Sequence, residues 1–396
     1  MAVSKDTQRG TWQFVVRVTA ADGSRKQMKR RGFATKKAAE TAQAQIIADQ
    51  VRGTFVRPTR LTLSAFLIDE WLPAKLSRLR PSTANSYDRV IRLYVMPHIG
   101  SAPLAAVDGS MLNSLYARLL ADGRTETRRG LGPGLSPKTV RNVHGVLTRA
   151  FRDGMRWGRL QRNPCDAADP PRGQPPEMKA WTADELRTFT TATSSHRLAG
   201  VWALMATTGM RRGEVLGLRW TDVDLRAATV TIRSTRIRYG TTIVTSTPKT
   251  ARGNRTIAIG PAAVVALKAW KRTQTADRLL MGAGWQDRDG LVVTIGDGSA
   301  PNPEAFSNLF QTLARRAGLR PIRLHDLRHS YATSALAAGV PVKVVSQRIG
   351  HADIGVTLKV YAHVMPGDDE DAALRADALL DTALLDSSLG DSVTIL

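Results

Sequence analysis

The stretch "NPCDAADPPRGQPPEMKAW", residues 163–181, holds five prolines in nineteen residues. Proline fixes φ and removes a backbone donor, so neither a helix interior nor a central strand can run through such a segment. The chain of 396 residues is therefore divided here, and the remaining length leaves room for two or three separate cores. A second break lies at "RGTFVRPTR", where Pro58 stops any helix. The segments that result are 1–55, 61–165 and 176–366, followed by a tail, 367–396.

Periodicity assigns each segment a character. In "TWQFVVRVTA" Trp12, Phe14, Val16 and Val18 alternate, as in a half-buried strand; a turn at 21–24 leads into a second, very basic strand, "RKQMKRRGF". Thr35 is placed to cap a helix through "KKAAETAQAQIIADQV", ending near Gly53. Segment 61–165 shows apolar spacing of three and four in four stretches, with Pro97 and Gly100 read as a stop. Segment 176–366 mixes helices with short strands at "ATVTIRST", "TIVTST" and "RTIAIG". The fold class expected is α+β multidomain: a small β-ribbon plus helix, a helical domain, and a mainly helical domain with a small antiparallel sheet.

Charge narrows the partner. The formal net charge is +23, an excess that points to a polyanion, nucleic acid being the commonest. The first three segments are each basic, whereas 367–396 carries one basic and eight acidic residues. Arg25, Lys26, Lys29, Arg30 and Arg31 would stud a ribbon able to enter a major groove. One cysteine, Cys165, excludes a disulfide framework. No apolar run reaches a membrane span and residues 1–10 lack an apolar leader, so a cytoplasmic location is expected.

The chemistry gathers in segment 176–366. Cleaving a phosphodiester without metal requires fixed cations on the non-bridging oxygens, a nucleophile, and an acid for the departing oxygen. "TGMRRGEVLGLRW" offers Arg211 and Arg212, "HDLRHSYAT" sets His325 and Arg328 on one helix face, and "IGHADIGVTLKVYAH" supplies His351 and Tyr361. Asp287 and Asp289 form a DxD with no third carboxylate from any motif, which argues against a two-metal nuclease. His98, His144 and His196 fit no constellation, His329 reads as a packing or helix-surface residue, and Trp220 as core.

These boxes, with "PKT" in a strand turn between the first two, resemble in order and separation the catalytic boxes of tyrosine recombinases, the integrases of temperate phages and integrative elements. Segment 1–55 is similar to their arm-site binding domain and 61–165 to their core-binding domain. The resemblance implies roles residue by residue. Arg211 is the catalytic arginine, with Arg212 in a variable slot, and Glu214 is the supporting acid. Lys249 is the turn lysine, His325 and Arg328 the HxxR pair, and His351 the histidine after a glycine, with Ile349 where leucine is usual. Tyr361 is the nucleophile.

The implied reaction joins Tyr361 to a 3′-phosphate and frees a 5′-hydroxyl, with no metal and no nucleotide cofactor. Lys249 would protonate the leaving oxygen; Arg211, Arg328 and His351 would hold the phosphoryl oxygens; His325 would either assist deprotonation of Tyr361 or hold an oxygen. Double-stranded DNA with core and arm sites, a homotetramer on that DNA, a host DNA-bending protein and an excision factor are the implied partners, in the nucleoid of a bacterial host. An apolar stripe through Leu374, Ala378 and Leu385 would dock the tail on the next protomer. Type IB topoisomerase-like relaxation, or a non-catalytic DNA-binding regulator on the same fold, are the alternatives.

Overall fold

The computed structural model describes residues 3–19, 25–52, 60–125, 132–173, 179–239, 242–246, 253–287, 289–351 and 353–361, with positions 373, 376 and 377 besides. Lys249, His363 and nearly all of the tail therefore lie outside the described residues, and so do the side chains of Arg25 and Lys26. The chain forms two compact units, Met1–Pro175 and Pro176–Leu396.

The first unit begins with an antiparallel sheet in the order β1 (Val3–Asp6), β2 (Thr11–Thr19), β3 (Arg25–Phe33). The ribbon expected from sequence thus gains a third strand; "VSKD" has one apolar residue and gives no alternation to read. Helix α1 (Lys36–Val51) covers one face, and the Thr35 hydroxyl accepts from Ala38 N–H at its start. Phe14, Val16 and Val18 of β2 are buried with Ala39 and Ile46 of α1.

The helical part follows as α2 (63–76), α3 (81–99), α4 (Gly109–Asp122) and α5 (Pro137–Arg156). Asp108 caps α4 and Ser136 caps α5. Within α2 the turn Phe66–Trp71 widens to π geometry just ahead of Pro73; α3 repeats this with Ile91–Val95 ahead of Pro97. A proline lacks the N–H and crowds the carbonyl four residues back, and a π turn re-registers the bonding to accommodate it. Pro97 is thus carried inside α3, and the stop expected at Pro97 and Gly100 falls at Gly100, which caps the helix after Ile99. Leu63, Phe66, Trp71, Ile91, Leu112, Val143, Leu147 and Phe151 share the core. Buried Asp153 accepts from Trp71 Nε1 at 2.8 Å and pairs with Lys75 at 2.6 Å and with Arg156.

The second unit holds α6 (Ala183–Ala192), α7 (Ala199–Thr208), α8 (Arg212–Leu216), β4 (Val223–Asp224), β5 (Thr229–Ile232), β6 (Thr235–Tyr239), β7 (Thr242–Ser246), β8 (Arg255–Ala258), α9 (Pro261–Met281), α10 (Pro303–Arg316), α11 (Leu324–Ala337), α12 (Val342–Ile349) and α13 (Ile354–Tyr361). The strands make an antiparallel sheet, β4-β5-β8, and a separate hairpin, β6-β7; β4 and β6 were not legible in sequence. Trp181, Phe189, Trp202, Phe306 and Phe310 meet at the centre in stacked, tilted and edge-on contacts. A smaller apolar cluster, Ala332, Leu336, Val345 and Ile349, surrounds Tyr361. Among the described residues no helix is long and apolar enough to cross a membrane.

Candidate active site and DNA-contacting surfaces

Two helix ends build the cation cluster. Helix α7 stops at Gly209, with φ +63°, and α12 stops at Gly350, with φ +65°. Only glycine takes this left-handed conformation without cost, and neither site has space for a side chain: a Cβ at Gly209 would lie 2.5 Å from Tyr331, one at Gly350 2.7 Å from Arg255. Each turn presents a carbonyl inward. Gly209 O accepts from Arg328 Nη1 at 2.9 Å, and Gly350 O accepts from Arg211 Nη2 at 2.9 Å. Arg328 is thereby tied two residues ahead of Arg211, and Arg211 is tied one residue ahead of His351, so segments far apart in sequence meet at one place.

Glu214 fixes Arg211 from behind. It is 4% exposed and accepts from Arg211 N–H at 2.9 Å and from Arg211 Nη1 at 2.7 Å. Its other partner was not anticipated. Arg255, at the start of β8, donates to Glu214 through Nη1 at 3.2 Å and Nη2 at 3.0 Å, and its Nε donates to Arg348 O at 2.6 Å. Burial alone would raise the Glu214 carboxyl; the hydrogen bonds and charges of Arg255 and Arg211 outweigh it and hold the group below the usual carboxylate range. Arg255 also donates to Gly253 O at 3.3 Å, next to the segment that carries Lys249. Arg212 turns away from this cluster, donating to Pro303 O and Ser307 Oγ.

Helix α11 brings the histidines. Asp326 accepts from Arg323 N–H and side chain and so fastens its first turn. His325 keeps an exposed edge and meets His329 edge-on, ring centres 5.3 Å apart. Local packing, His329 and Arg328 lower its pKa to about 4. His351 is half-buried, and its Nδ1 lies 2.8 Å from Thr357 Oγ1. With the hydroxyl donating, the neutral ring carries its proton on Nε2. Burial, then Arg328 and Arg211, lower this histidine to about 4 as well. Arg328 is 3% exposed, and burial followed by the nearby Arg211 brings it down to about 9, still charged at neutral pH.

Tyr361, on the last turn of α13, is fully buried, and burial pushes its hydroxyl up to about 12 against the opposing pull of Arg328. The hydroxyl lies 2.6 Å from His329 Nδ1. This corrects the reading of His329 as a packing residue: its ring reaches the reactive atom of the candidate nucleophile. A cleft of about 590 Å³ beside these groups is lined by Asn254, Arg255, Lys343, Ser346, Gln347, Gly350, His351 and Ile354.

His144, His196, Trp220, Asp287 and Asp289 have structural partners. His144 Nδ1 meets Tyr116 Oη at 2.8 Å, and His196 Nδ1 accepts from Leu198 N–H. Trp220 packs on the core with its Nε1 on Gln274. Asp287 caps its own turn, while Asp289 pairs with Arg219. No group of three metal-ligating side chains occurs among the described residues.

In the N-terminal sheet, Lys29 pairs with Val15 and Arg30 with Phe14. Phe14 is buried under α1, so Arg30 belongs to the helix-side face and Lys29 to the free one. Lys29, Arg30 and Arg31 are all exposed. Arg17 is exposed on the free face with Lys29, although it was not picked out from sequence.

Three family models match along the chain: the phage integrase family over residues 179–367, an arm DNA-binding domain over 2–50, and a phage integrase N-terminal SAM-like domain over 62–109. The chain belongs to the phage integrase family. It is an integrase of the tyrosine recombinase type, a DNA strand-transferring enzyme. A putative prophage phiRv2 integrase of Mycobacterium tuberculosis is 30% identical over 308 residues, 76% of this chain and 75% of that protein. A tyrosine recombinase XerC-like protein of Caldanaerobacter subterraneus is 26% identical over 354 residues, 84% of this chain and 87% of that protein. Among solved structures, the Tn1549 transposon integrase in complex with a circular intermediate DNA is similar in fold, with a TM-score of 0.65 at 19% identity, covering 81% of this integrase and 99% of that chain.

Proposed function

We propose that this integrase cleaves and rejoins DNA through Tyr361, with Arg211, Arg328 and His351 gripping the scissile phosphate, and that it integrates and excises a phage or mobile element. The observation that carries the assignment is the knitting of these three groups by the Gly209 and Gly350 carbonyls beside a buried tyrosine.

The geometry supports a definite division of labour. A phosphoryl group under attack concentrates charge on its two non-bridging oxygens, and guanidinium groups held in advance stabilise it without reorganising. Arg211 has both Nη atoms committed from behind, which fixes the plane of the fork. His351 offers Nε2–H, its Nδ1 being occupied by Thr357. We assign His325, with its exposed edge, to an oxygen as a hydrogen-bond donor. Glu214 acts behind Arg211. Lys249, on the segment between β7 and β8, protonates the departing 5′-oxygen. The covalent phosphotyrosyl bond conserves the energy of the phosphodiester, so an incoming 5′-hydroxyl reseals the strand without a nucleotide cofactor.

The N-terminal sheet binds arm DNA with its free basic face, and segment 61–165 with the catalytic unit binds core DNA. Four protomers act on two sites, with the tail of each on its neighbour and with host bending and excision factors alongside, in the bacterial nucleoid. The test is a covalent trap on DNA flanking the integrase's own gene. Tyr361→Phe is expected to bind that DNA within about twofold of wild type, because one hydroxyl is minor among many phosphate contacts, and to give no adduct. An adduct of normal yield from this variant refutes the assignment of the nucleophile.

A further inference from the structure

Tyr361 must lose a proton as it attacks, and its hydroxyl is buried away from water. Among the described residues, the bond made by that hydroxyl is to His329 Nδ1, at 2.6 Å. His325 lies one helical turn back on the same face, its ring against His329 rather than against Tyr361. The ring planes of His329 and Tyr361 are inclined at 47° with centres 5.9 Å apart, so the contact is made through nitrogen and oxygen and not by stacking.

The geometry points to His329 as the catalytic residue that receives the Tyr361 proton, an assignment that rests on Tyr361 being the nucleophile. In the step, Tyr361 Oη forms its bond to phosphorus as the bond from phosphorus to the 5′-oxygen breaks. The phenolic proton passes to His329 Nδ1, and the departing oxygen takes a proton from the general acid, Lys249. In the resealing step the same proton returns from His329 to the phenolic oxygen as that oxygen leaves phosphorus.

The surroundings suit an acceptor. His329 is faced by His325, Asp326 and Arg328 on α11, by Arg323 at the start of that helix, by His351 ahead of α13, and by Tyr361 on α13. Burial lowers its pKa; Asp326 works the other way, and Arg328 and Arg323 add to the lowering. The ring is therefore neutral at pH 7, with a lone pair at Nδ1 when the proton sits on Nε2. Once the proton has moved, the phosphate held by Arg211 and Arg328 offsets part of the new positive charge. The sign follows: cleavage rises with pH as His329 deprotonates, below the ordinary histidine range, and is flat above it.

The experiment measures single-turnover adduct formation on a nicked core-site duplex from pH 5 to 8, for wild type, His329→Asn, His329→Ala and Tyr361→Phe. Asparagine keeps a hydrogen-bonding atom near the Nδ1 position but cannot take a proton. His329→Asn is expected to bind the duplex normally, to cleave on the order of 100-fold more slowly, and to lose the acid limb of the profile. Imidazole in the buffer is expected to speed His329→Ala. Near wild-type cleavage by His329→Asn, with the acid limb intact, overturns proton transfer and leaves His329 as a hydrogen-bonding prop. Faster cleavage by His329→Ala overturns it too, the contact then being one that restrains Tyr361. Loss of the adduct in Tyr361→Phe beside an unaffected His329→Asn removes only this inference, whereas an adduct from Tyr361→Phe removes the nucleophile assignment on which it stands.

Discussion

Replacing Arg255 with alanine should damage the integrase in two measurable ways. The guanidinium makes two hydrogen bonds to Glu214, one to Arg348 O and a longer one to Gly253 O, from a side chain 8% exposed. Alanine leaves the Glu214 carboxylate, 5% exposed in its side chain, with Arg211 as its remaining ionic partner, and Arg211 is itself 39% exposed. Removing one partner of a buried ion pair costs about 3–5 kcal/mol. For a unit the size of Pro176–Leu396, each kcal/mol moves the melting temperature by about 2–4 °C, so the expected fall is about 6–20 °C. Differential scanning calorimetry of the full chain, followed by adduct formation at a temperature where the variant is folded, separates stability from catalysis. Adduct formation should also fall, on the order of 100-fold, because Glu214 would no longer be gripped from both sides and Arg211 would lose its fixed plane. Arg255→Lys keeps the charge but cannot bridge both carboxylate oxygens and Arg348 O, and is expected between the two. An alanine variant that melts and cleaves like wild type would refute the view of Arg255 as the strut behind Arg211.

Lys249→Ala should slow cleavage of ordinary DNA, and a substrate with sulfur at the bridging 5′ position should restore the rate, since that leaving group needs no acid; absence of rescue would assign Lys249 to charge or structure instead. Glu214 has a depressed folded pKa, so its contribution to stability is present above about pH 4.5 and is lost as the pH falls through the depressed value. The melting-temperature gap between wild type and Glu214→Gln should therefore be widest near neutrality and narrow below pH 4.5, and a gap independent of pH would contradict the charge pairing. Arg17→Ala with Lys29→Ala should weaken arm-DNA binding and flatten its log–log salt dependence by about 2, near 0.9 for each lost phosphate contact; an unchanged slope would move the interface off this face.

The helices of both units were legible because their apolar spacing, their caps and their glycine stops agree. Thr35 and Ser136 each announce a helix start that the structure contains. What escaped depended on contacts remote in sequence. Arg255 opens a short strand, where a charged residue reads as solvent-facing; its burial comes from Glu214 and the Arg348 carbonyl, 41 residues before it and 93 after. His329 sits next to a box position, and nothing local distinguishes a surface histidine from one that meets a tyrosine 32 residues on. Of the pair read as a stop, Gly100 caps α3, whereas Pro97 lies inside it, because residue type alone does not reveal a π turn ahead of it. The first strand, with Val3 its sole apolar residue, has no pattern of its own and is held by its pairing with β2.

Arg328 Nη2 is buried and, among the described residues, meets no acceptor, although its sister Nη1 is held by Gly209. A buried donor without an acceptor is a point of local frustration: the fold tolerates it and gains nothing from it. An oxyanion gripped there, as proposed above, would relieve it, and the ligand-bound form would then have a stability that the free form lacks. Linkage makes this general, since saturating a site to 100 times its dissociation constant adds about 2.7 kcal/mol to the folded state. On the proposed phosphate grip, the integrase away from DNA is the less settled of its two forms, and the group proposed to meet phosphate is also one that makes the free enzyme easier to unfold.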